Sequence, residues 1–407
     1  MDPAASYPLP IVDLDAFLAG ETSPAGTRAA QLVSPGPPLT RGQPRTAADS
    51  NPAHPSQTAE ALIEYGALIV RDSRVDDRAN DAFLDLLEDY FAQPHSALQL
   101  DARPEVHFQV GVTLENTEKP KCHSHAQCQA VIASLDPTER PLDLAGGQAD
   151  PKCRFFHRMG TSPEHTAFPS LAMTNVTPGA FPTWTEQMED WGTQIKRAVE
   201  GVSEMLAVGL GLERDTLTNA ARYGSHLLAP TATDLAKYGR EGEIFAGFHT
   251  DLNFLTIHGR SRYPGLHIWA RNSGKRIPVK LPPGCLLVQA GKQLEHLSAG
   301  LILAGYHEVV CSSATVAALE RRRLDPATRA RPEIRISSTF FYHLSNDYAL
   351  EPAEFINRVK DSPVVRGAAA AAGSKEWEEN VRVAKYEEGL LVGTLIQNEL
   401  KEIALHA

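Results

Sequence analysis

A chain of 407 residues, 42% hydrophobic and 22% charged, is long enough to bury a sizeable core as one large domain or two ordinary ones. Its formal net charge of -11 argues against a broad, sequence-independent grip on nucleic acid, because such binding needs Lys and Arg to displace counterions. No run of about 18 apolar residues is present to span a membrane. Five cysteines in so long a chain make no disulfide framework and are expected to be thiols of a reduced, cytoplasmic protein. The first twenty residues carry Asp2, Asp13 and Asp15 where a secretory signal would have a basic start and an apolar stretch, so none is expected.

Along the chain, Pro8-Leu-Pro-Ile-Val-Asp-Leu suggests a short anchoring strand. Residues 20–57, rich in Pro, Ala, Gly, Ser and Thr with no apolar period, predict a flexible loop or arm. Thr58 to Tyr65 suggests a helix and Ala67 to Arg71 a strand. Asp76 to Gln93 predicts an amphipathic helix, with Phe83, Leu84, Leu87, Tyr90 and Phe91 at helical spacing and Pro94 as its stop. Leu100 to Lys152 contains Pro137, Pro141, Gly146, Gly147 and Pro151, so loops with little regular structure are expected. Trp184 to Gly211 is a long helical pattern with Met188, Trp191, Ile195, Val199, Val202 and Leu206 on one face.

The period changes at Gly242. Short strand-like runs begin at Ile244, Phe254, Leu266, Arg276, Cys285 and Arg335, separated by turn signals such as Pro264-Gly265 and Pro283-Gly284. Evenly spaced short strands of this kind predict a sandwich or jelly roll. A short basic helix, Ala314 to Leu324, interrupts the series, and Ser374 to Leu405 is again helical.

The strand-rich half contains His249-Thr250-Asp251, with His307 56 positions after Asp251. Two imidazoles and a carboxylate can occupy one face of an octahedral metal and leave three positions open, the arrangement non-haem Fe(II) oxygenases use. On a strand, residues i and i+2 share a side, so His249 and Asp251 could both face a barrel interior. A His-x-Asp pair also arises by chance in a chain with 15 His, and alone it carries little.

The surrounding sequence carries more. Phe248-His249-Thr250-Asp251-Leu-Asn-Phe-Leu255-Thr256-Ile257, Pro264-Gly265-Leu266, the Gly291 to Gly300 segment, Gly305-Tyr306-His307-Glu-Val309-Val310 and Arg335-Ile336-Ser337 follow in order. Together they resemble the isopenicillin N synthase-like branch of the Fe(II)/2-oxoglutarate-dependent oxygenases. The resemblance covers 242–342 well and 9–93 loosely. It implies an α+β fold with a double-stranded β-helix (jelly roll) core and flanking helices. The whole chain, 1–407, is read as one oxygenase domain: a supporting region to about 230, the metal-binding core at about 242–345 and a terminal helix at about 374–405. His249, Asp251 and His307 would hold Fe(II). Arg335, aided by Ser337, would bind the far carboxylate of 2-oxoglutarate, because a guanidinium fork matches a carboxylate. With O2 consumed and 2-oxoglutarate converted to succinate and CO2, a small-molecule substrate would be hydroxylated, desaturated or cyclised. Neither nucleic acid nor a membrane is an expected partner, and the oligomeric state is left open.

Two departures from that pattern bear on the co-substrate. Arg335 follows His307 by 28 positions where about ten is usual, the excess being the 312–333 segment; Arg260 is a fallback carboxylate partner, or more simply a surface arginine. Before Pro230, where relatives carry Asn and Tyr, stand Leu227, Leu228 and Ala229; His226 is either a substitute or, more simply, an ordinary polar strand residue. These departures leave open an iron oxidase of the same fold that needs no 2-oxoglutarate; a second alternative, a non-catalytic jelly-roll binding protein, is opposed by the intact triad. Cys122, His123, His125, Cys128 and Cys153 have the residue types of a zinc site without a common zinc spacing. Arg154-Phe155-Phe156-His157-Arg158 is an aromatic and basic run that could reach the pocket and meet an anionic substrate, or could divide between core and solvent. The basic run at Arg321, Arg322 and Arg323 is expected to be a solvated helix face, and His258, His267, His296 and His343 packed side chains rather than ligands.

Overall fold

The computed structural model describes residues 9–20, 55–120, 122, 125–144, 148–372 and 385–402. Its strands are short because turn residues recur every few positions. In chain order they are β1 (Ile11–Asp13), β2 (Ala67–Arg71), β3 (Gly111–Thr113), β4 (Cys153–Met159), β5 (His226–Leu228), β6 (Thr231–Asp234) and β7 (Ile244–Thr250). There follow β8 (Leu255–His258), β9 (Leu266–Trp269), β10 (Arg276–Pro278), β11 (Cys285–Ala290), β12 (Tyr306–Val310), β13 (Ile334–Ser337) and β14 (Thr339–Tyr342). The larger sheet runs β1-β2-β11-β8-β14-β5-β4-β6-β13, with β3 paired to β4, and the smaller runs β10-β9-β12-β7. All pairings in the two sheets are antiparallel apart from β1 with β2. These two sheets form the jelly roll.

The principal helices are α1 (Leu14–Ala19), α2 (Pro55–Tyr65), α3 (Asp77–Phe91), α4 (Ala126–Ser134), α5 (Trp184–Gly209), α6 (Ser313–Leu324) and α7 (Val392–Glu402). The Asp76 side chain caps α3 by accepting the Arg78 N–H, and Phe83, Leu84, Leu87, Tyr90 and Phe91 are buried on one stripe. Helix α5 buries all six residues that its periodicity selects. Its Trp191 indole N–H donates to Ser338 Oγ at 2.8 Å, which ties the helix to the junction of β13 and β14. One core cluster takes in Val12, Leu62, Leu87, Trp184, Ile257, Val288, Phe340 and Ile396, so the N-terminal helices, the larger sheet and α7 share a single apolar interior.

Helix α6 is the insertion between β12 and β13, capped by reciprocal bonds between Ser312 and Thr315. Arg322 is not a solvated residue: its two terminal nitrogens donate to Glu88 of α3 at 2.8 and 2.5 Å. Glu88 is 1% exposed and also meets Arg262 at 3.0 Å and Arg331 at 3.5 Å. Strand positions survive the insertion, since Arg335 of β13 pairs opposite Thr233 of β6.

Four expectations change. The terminal helix expected at 374–405 begins only at Val392, residues 386–391 being non-helical and 373–384 and 403–407 lying outside the described residues. Residues 55–57 belong to α2 rather than to the proposed flexible arm, whose remaining residues 21–54 lie outside the described residues. The 100–152 stretch contains β3 and α4 among its loops, because Ala126 to Ser134 lacks the breakers that flank it. Cys122 and Cys128 form a disulfide, so neither is the free thiol or zinc ligand considered above; His123 lies outside the described residues. Among the described residues, no helix is long and apolar enough to cross a membrane.

Candidate active site

Antiparallel pairing brings the two histidines together. His249 on β7 and His307 on β12 are direct cross-strand partners, with ring centroids 4.1 Å apart. Strand β7 ends at Thr250, so Asp251 is not a strand residue as the spacing suggested. It starts a turn that is pinned from behind: Lys292 N–H donates to the Asp251 carbonyl at 2.8 Å, and Gln293 N–H to the Leu252 carbonyl at 3.1 Å. That turn puts Asp251 Oδ1 3.8 Å from both His249 Nε2 and His307 Nε2. One ligand atom from each residue lies within 4.8 Å of the others.

The donor set suits a divalent cation. His249 Nδ1 lies 2.7 Å from the Gly247 carbonyl, a bond that requires the proton on Nδ1 and leaves Nε2 as the lone pair. Thr256 Oγ1 donates to Asp251 Oδ2 at 2.6 Å and leaves Oδ1 open. Burial pushes the His249 pKa down and takes His307 to about 4, aided at His307 by neighbouring His249, so both rings are neutral at pH 7. Burial alone would raise the Asp251 pKa, yet His307, His249 and Thr256 hold it below the ordinary carboxylate value. Two neutral imidazoles and one carboxylate are the protonation states a metal needs.

The triad borders a chamber of about 220 Å³. Its wall takes side chains from the 109–154 segment, the jelly roll and α7: Glu118, Lys152, Arg154 and Phe156 on one side, Leu227, Ser337, Thr339 and Phe341 from the sheet, and Ile396, Glu399 and Leu400 from the helix. Gly247 has a specific task there. A Cβ at this position would come within 2.8 Å of Pro120 Cγ, so the absence of a side chain lets the 118–120 segment close against the metal-bearing strand.

Arg335 does not itself line the chamber but stands behind chamber-lining Ser337, 4% exposed, its Nη1 donating to Ser337 Oγ at 2.7 Å and its Nε to the Pro264 carbonyl at 3.2 Å. No described carboxylate forms an ion pair with it, and burial pushes its pKa down to about 10. Its charge also helps depress the pKa of chamber-lining His258, after the larger effects of burial and His307. A buried guanidinium without a counter-charge fits an incoming carboxylate. Arg260 does not fill that role: it lies at the surface, 3.7 Å from Asp81. Nor does His226 reach the chamber; its ring stacks on Tyr342 at 4.5 Å and its Nδ1 accepts the His343 N–H. Leu227, one residue on, faces the chamber instead.

Strand alternation resolves the 154–158 run. Arg154 and Phe156 line the chamber, Phe155 joins the core, and His157 bonds Glu189 on α5 at 3.1 Å. Glu118, Asp150, Lys152 and His258 also line the chamber, though the sequence singles out only His258, and that as a packed side chain. The first three come from a stretch without periodicity, so no pattern marks them.

A jelly roll that closes two opposed histidines and a turn-borne aspartate over a buried arginine defines a class. Residues 220–344 match the model of the 2OG-Fe(II) oxygenase superfamily. Among individual proteins, it is 28% identical over 141 residues to flavonol synthase/flavanone 3-hydroxylase of Petunia hybrida, covering 34% of this chain and 40% of that protein. It is 25% identical over 180 residues to jasmonate-induced oxygenase 4 of Arabidopsis thaliana, covering 44% and 45%. The aligned part thus spans less than half the length of these curated relatives. Among solved structures, a full-length Neurospora crassa protein crystallised in complex with alpha-KG superposes with a TM-score of 0.61 at 16% identity, covering 98% of this chain and 99% of that one. A 2OG-Fe(II) oxygenase family protein from Caulobacter crescentus gives 0.62 at 20%, covering 98% and 100%. At those identities the likeness is one of fold.

Proposed function

We propose that this protein is a non-haem Fe(II)/2-oxoglutarate-dependent oxygenase of the isopenicillin N synthase-like branch, one domain acting on a small organic substrate. The observation that carries the reading is the pairing of a three-ligand face with a buried arginine that no described carboxylate neutralises. His249 Nε2, His307 Nε2 and Asp251 Oδ1 would hold the iron. Arg335 and Ser337 would hold the far carboxylate of 2-oxoglutarate. Iron with 2-oxoglutarate and O2 supplies the oxidising chemistry, which can hydroxylate, desaturate or cyclise.

The chain itself supplies placement. Thr256 fixes the Asp251 rotamer, the Gly247 carbonyl fixes the His249 ring, and the apolar side chains of Phe156, Phe341, Leu227 and Leu400 exclude water from the substrate end. A chamber of about 220 Å³ suits a small molecule rather than a polymer. The Neurospora protein has been crystallised with thymine and with 5-formyluracil, and molecules of that size match such a chamber.

Addition of Fe(II) and 2-oxoglutarate without oxygen should give a visible metal-to-ligand charge-transfer band that His249→Ala abolishes. Iron binding without the band would favour an oxidase that needs no 2-oxoglutarate. Absence of iron binding would sink both enzyme readings.

A further inference from the structure

His343 directly follows β14 and lines the chamber; with Leu227 and Ile396 it also lines an adjoining recess closed by Leu171 and Met173. The side chain is buried, and what lies behind it fixes its chemistry. Gln293, fully buried in the short helix Lys292–Leu297, accepts the Leu344 N–H on Oε1 at 2.9 Å. A backbone N–H only donates, so that bond assigns the amide oxygen and leaves the amide nitrogen toward the imidazole. Gln293 Nε2 lies 2.9 Å from His343 Nδ1 and donates to it. Nδ1 is therefore the lone-pair nitrogen, and Nε2 carries the proton.

That Nε2–H has no hydrogen-bond partner among the described residues, and unlike Nε2 of His258 it is not sealed from the chamber. Other polar groups on this wall are committed: Ser337 Oγ accepts from Arg335, and Thr339 Oγ1 pairs with His258 Nδ1 at 3.2 Å. Burial pushes the His343 pKa down to about 3, although Asp251 acts the other way, so the ring presents a donor without a charge. A donor without a protein partner gains most from a ligand acceptor, and Leu227, Phe341 and Ile396 offer that ligand an apolar bed.

We propose that His343 is a specificity-determining residue: its Nε2–H, held in that tautomer by Gln293, donates to a carbonyl or ether oxygen on an otherwise apolar substrate. This rests on the chamber being the substrate site of the oxygenase proposed above. An ammonium or amide N–H at the same point would face another N–H and be rejected. Gln293 is the positioning residue, and its backbone also pins the Asp251-bearing turn through the Leu252 carbonyl. One residue thus sets both the metal ligand and the substrate donor.

Two shape-matched probes test this by equilibrium dialysis of the metal-free full-length protein: acetophenone, with a carbonyl, and α-methylstyrene, in which a methylene replaces the oxygen. Comparing the ratio of their affinities between wild type and His343→Phe cancels the difference in their hydration. The variant keeps a ring and the Gln293–Leu344 bond. Its ratio should move about tenfold against acetophenone, the scale of one buried carbonyl left unpaired. His343→Met takes its place if the Phe variant fails to fold. In wild type labelled with nitrogen-15 histidine, one ring protonated on Nε2 should shift its Nε2 resonance with acetophenone and not with α-methylstyrene. An unchanged affinity ratio would overturn the proposal. So would a responding histidine protonated on Nδ1, no histidine responding to acetophenone, or binding of neither probe. The resonance arm needs no variant and decides without one. Because neither assay needs iron, a missing charge-transfer band would sink the oxygenase reading, whereas an unchanged ratio would sink the His343 assignment alone.

Discussion

Phe248 and Tyr306 lie face to face, ring centroids 4.5 Å apart and planes 1° from parallel. Each immediately precedes a histidine of the triad, and strand alternation sends the stack to one side of the β7–β12 ladder and the imidazoles to the other. Trp269 closes the aromatic group at 4.8 Å, edge-on to Phe248. The metal-facing side of the ladder is therefore backed by a rigid apolar brace.

Removal of that brace should loosen the histidines without touching them. Phe248→Ala is expected to destabilise the fold by about 3 kcal/mol, since Phe248 is fully buried. It should also weaken metal binding by about tenfold, the usual scale for groups that orient ligands from behind. Thermal unfolding and competition against a chromophoric chelator measure the two effects. Unchanged metal affinity in a destabilised protein would assign the stack to stability alone.

Arg335→Met carries an expectation of opposite sign for stability and for binding. The guanidinium is buried without a counter-charge among the described residues, so its loss should leave unfolding free energy unchanged or raise it. Affinity for 2-oxoglutarate should fall by about 100-fold, the scale of two charge-assisted bonds. Metal affinity should hold. A large drop in stability with 2-oxoglutarate binding intact would make Arg335 a structural residue.

The inserted helix gives a third test, remote from the chemistry. Glu88 meets Arg322, Arg262 and Arg331, of which the last two also pair with Asp85 and Arg331 with Asp89, so Glu88→Ala should strand the Arg322 guanidinium and cost about 3 kcal/mol in urea unfolding. Arg322→Ala should cost less, because Glu88 keeps two partners. Equal costs would indicate that the Arg322–Glu88 pair alone carries the anchoring.

Local pattern makes much of this legible. The α5 face, the α3 face and the short strands after Gly242 follow from apolar period, and the His249, Asp251, His307 and Arg335 motifs stand in the order their joint positions require. Loops are opaque for a physical reason: Glu118, Asp150 and Lys152 reach the chamber through tertiary closure over Gly247, which leaves no periodic trace. Asp251 shows the same limit on a smaller scale, since its position comes from the 292–293 backbone rather than from strand alternation. Arg322 shows it again, as a basic helix position whose partner lies on a distant helix.

The His249–His307 pairing joins two residues with 57 others between them in the chain. Such a site cannot exist in a locally ordered fragment; it requires closure of a long loop into ladder register, which folds slowly relative to helices. Any cation held there would therefore bind the native state and not the open chain. By linkage, a cation at one hundred times its dissociation constant would add about 2.7 kcal/mol to the stability of the whole fold. Iron supply would then govern how long the polypeptide survives proteolysis as well as whether it can turn over.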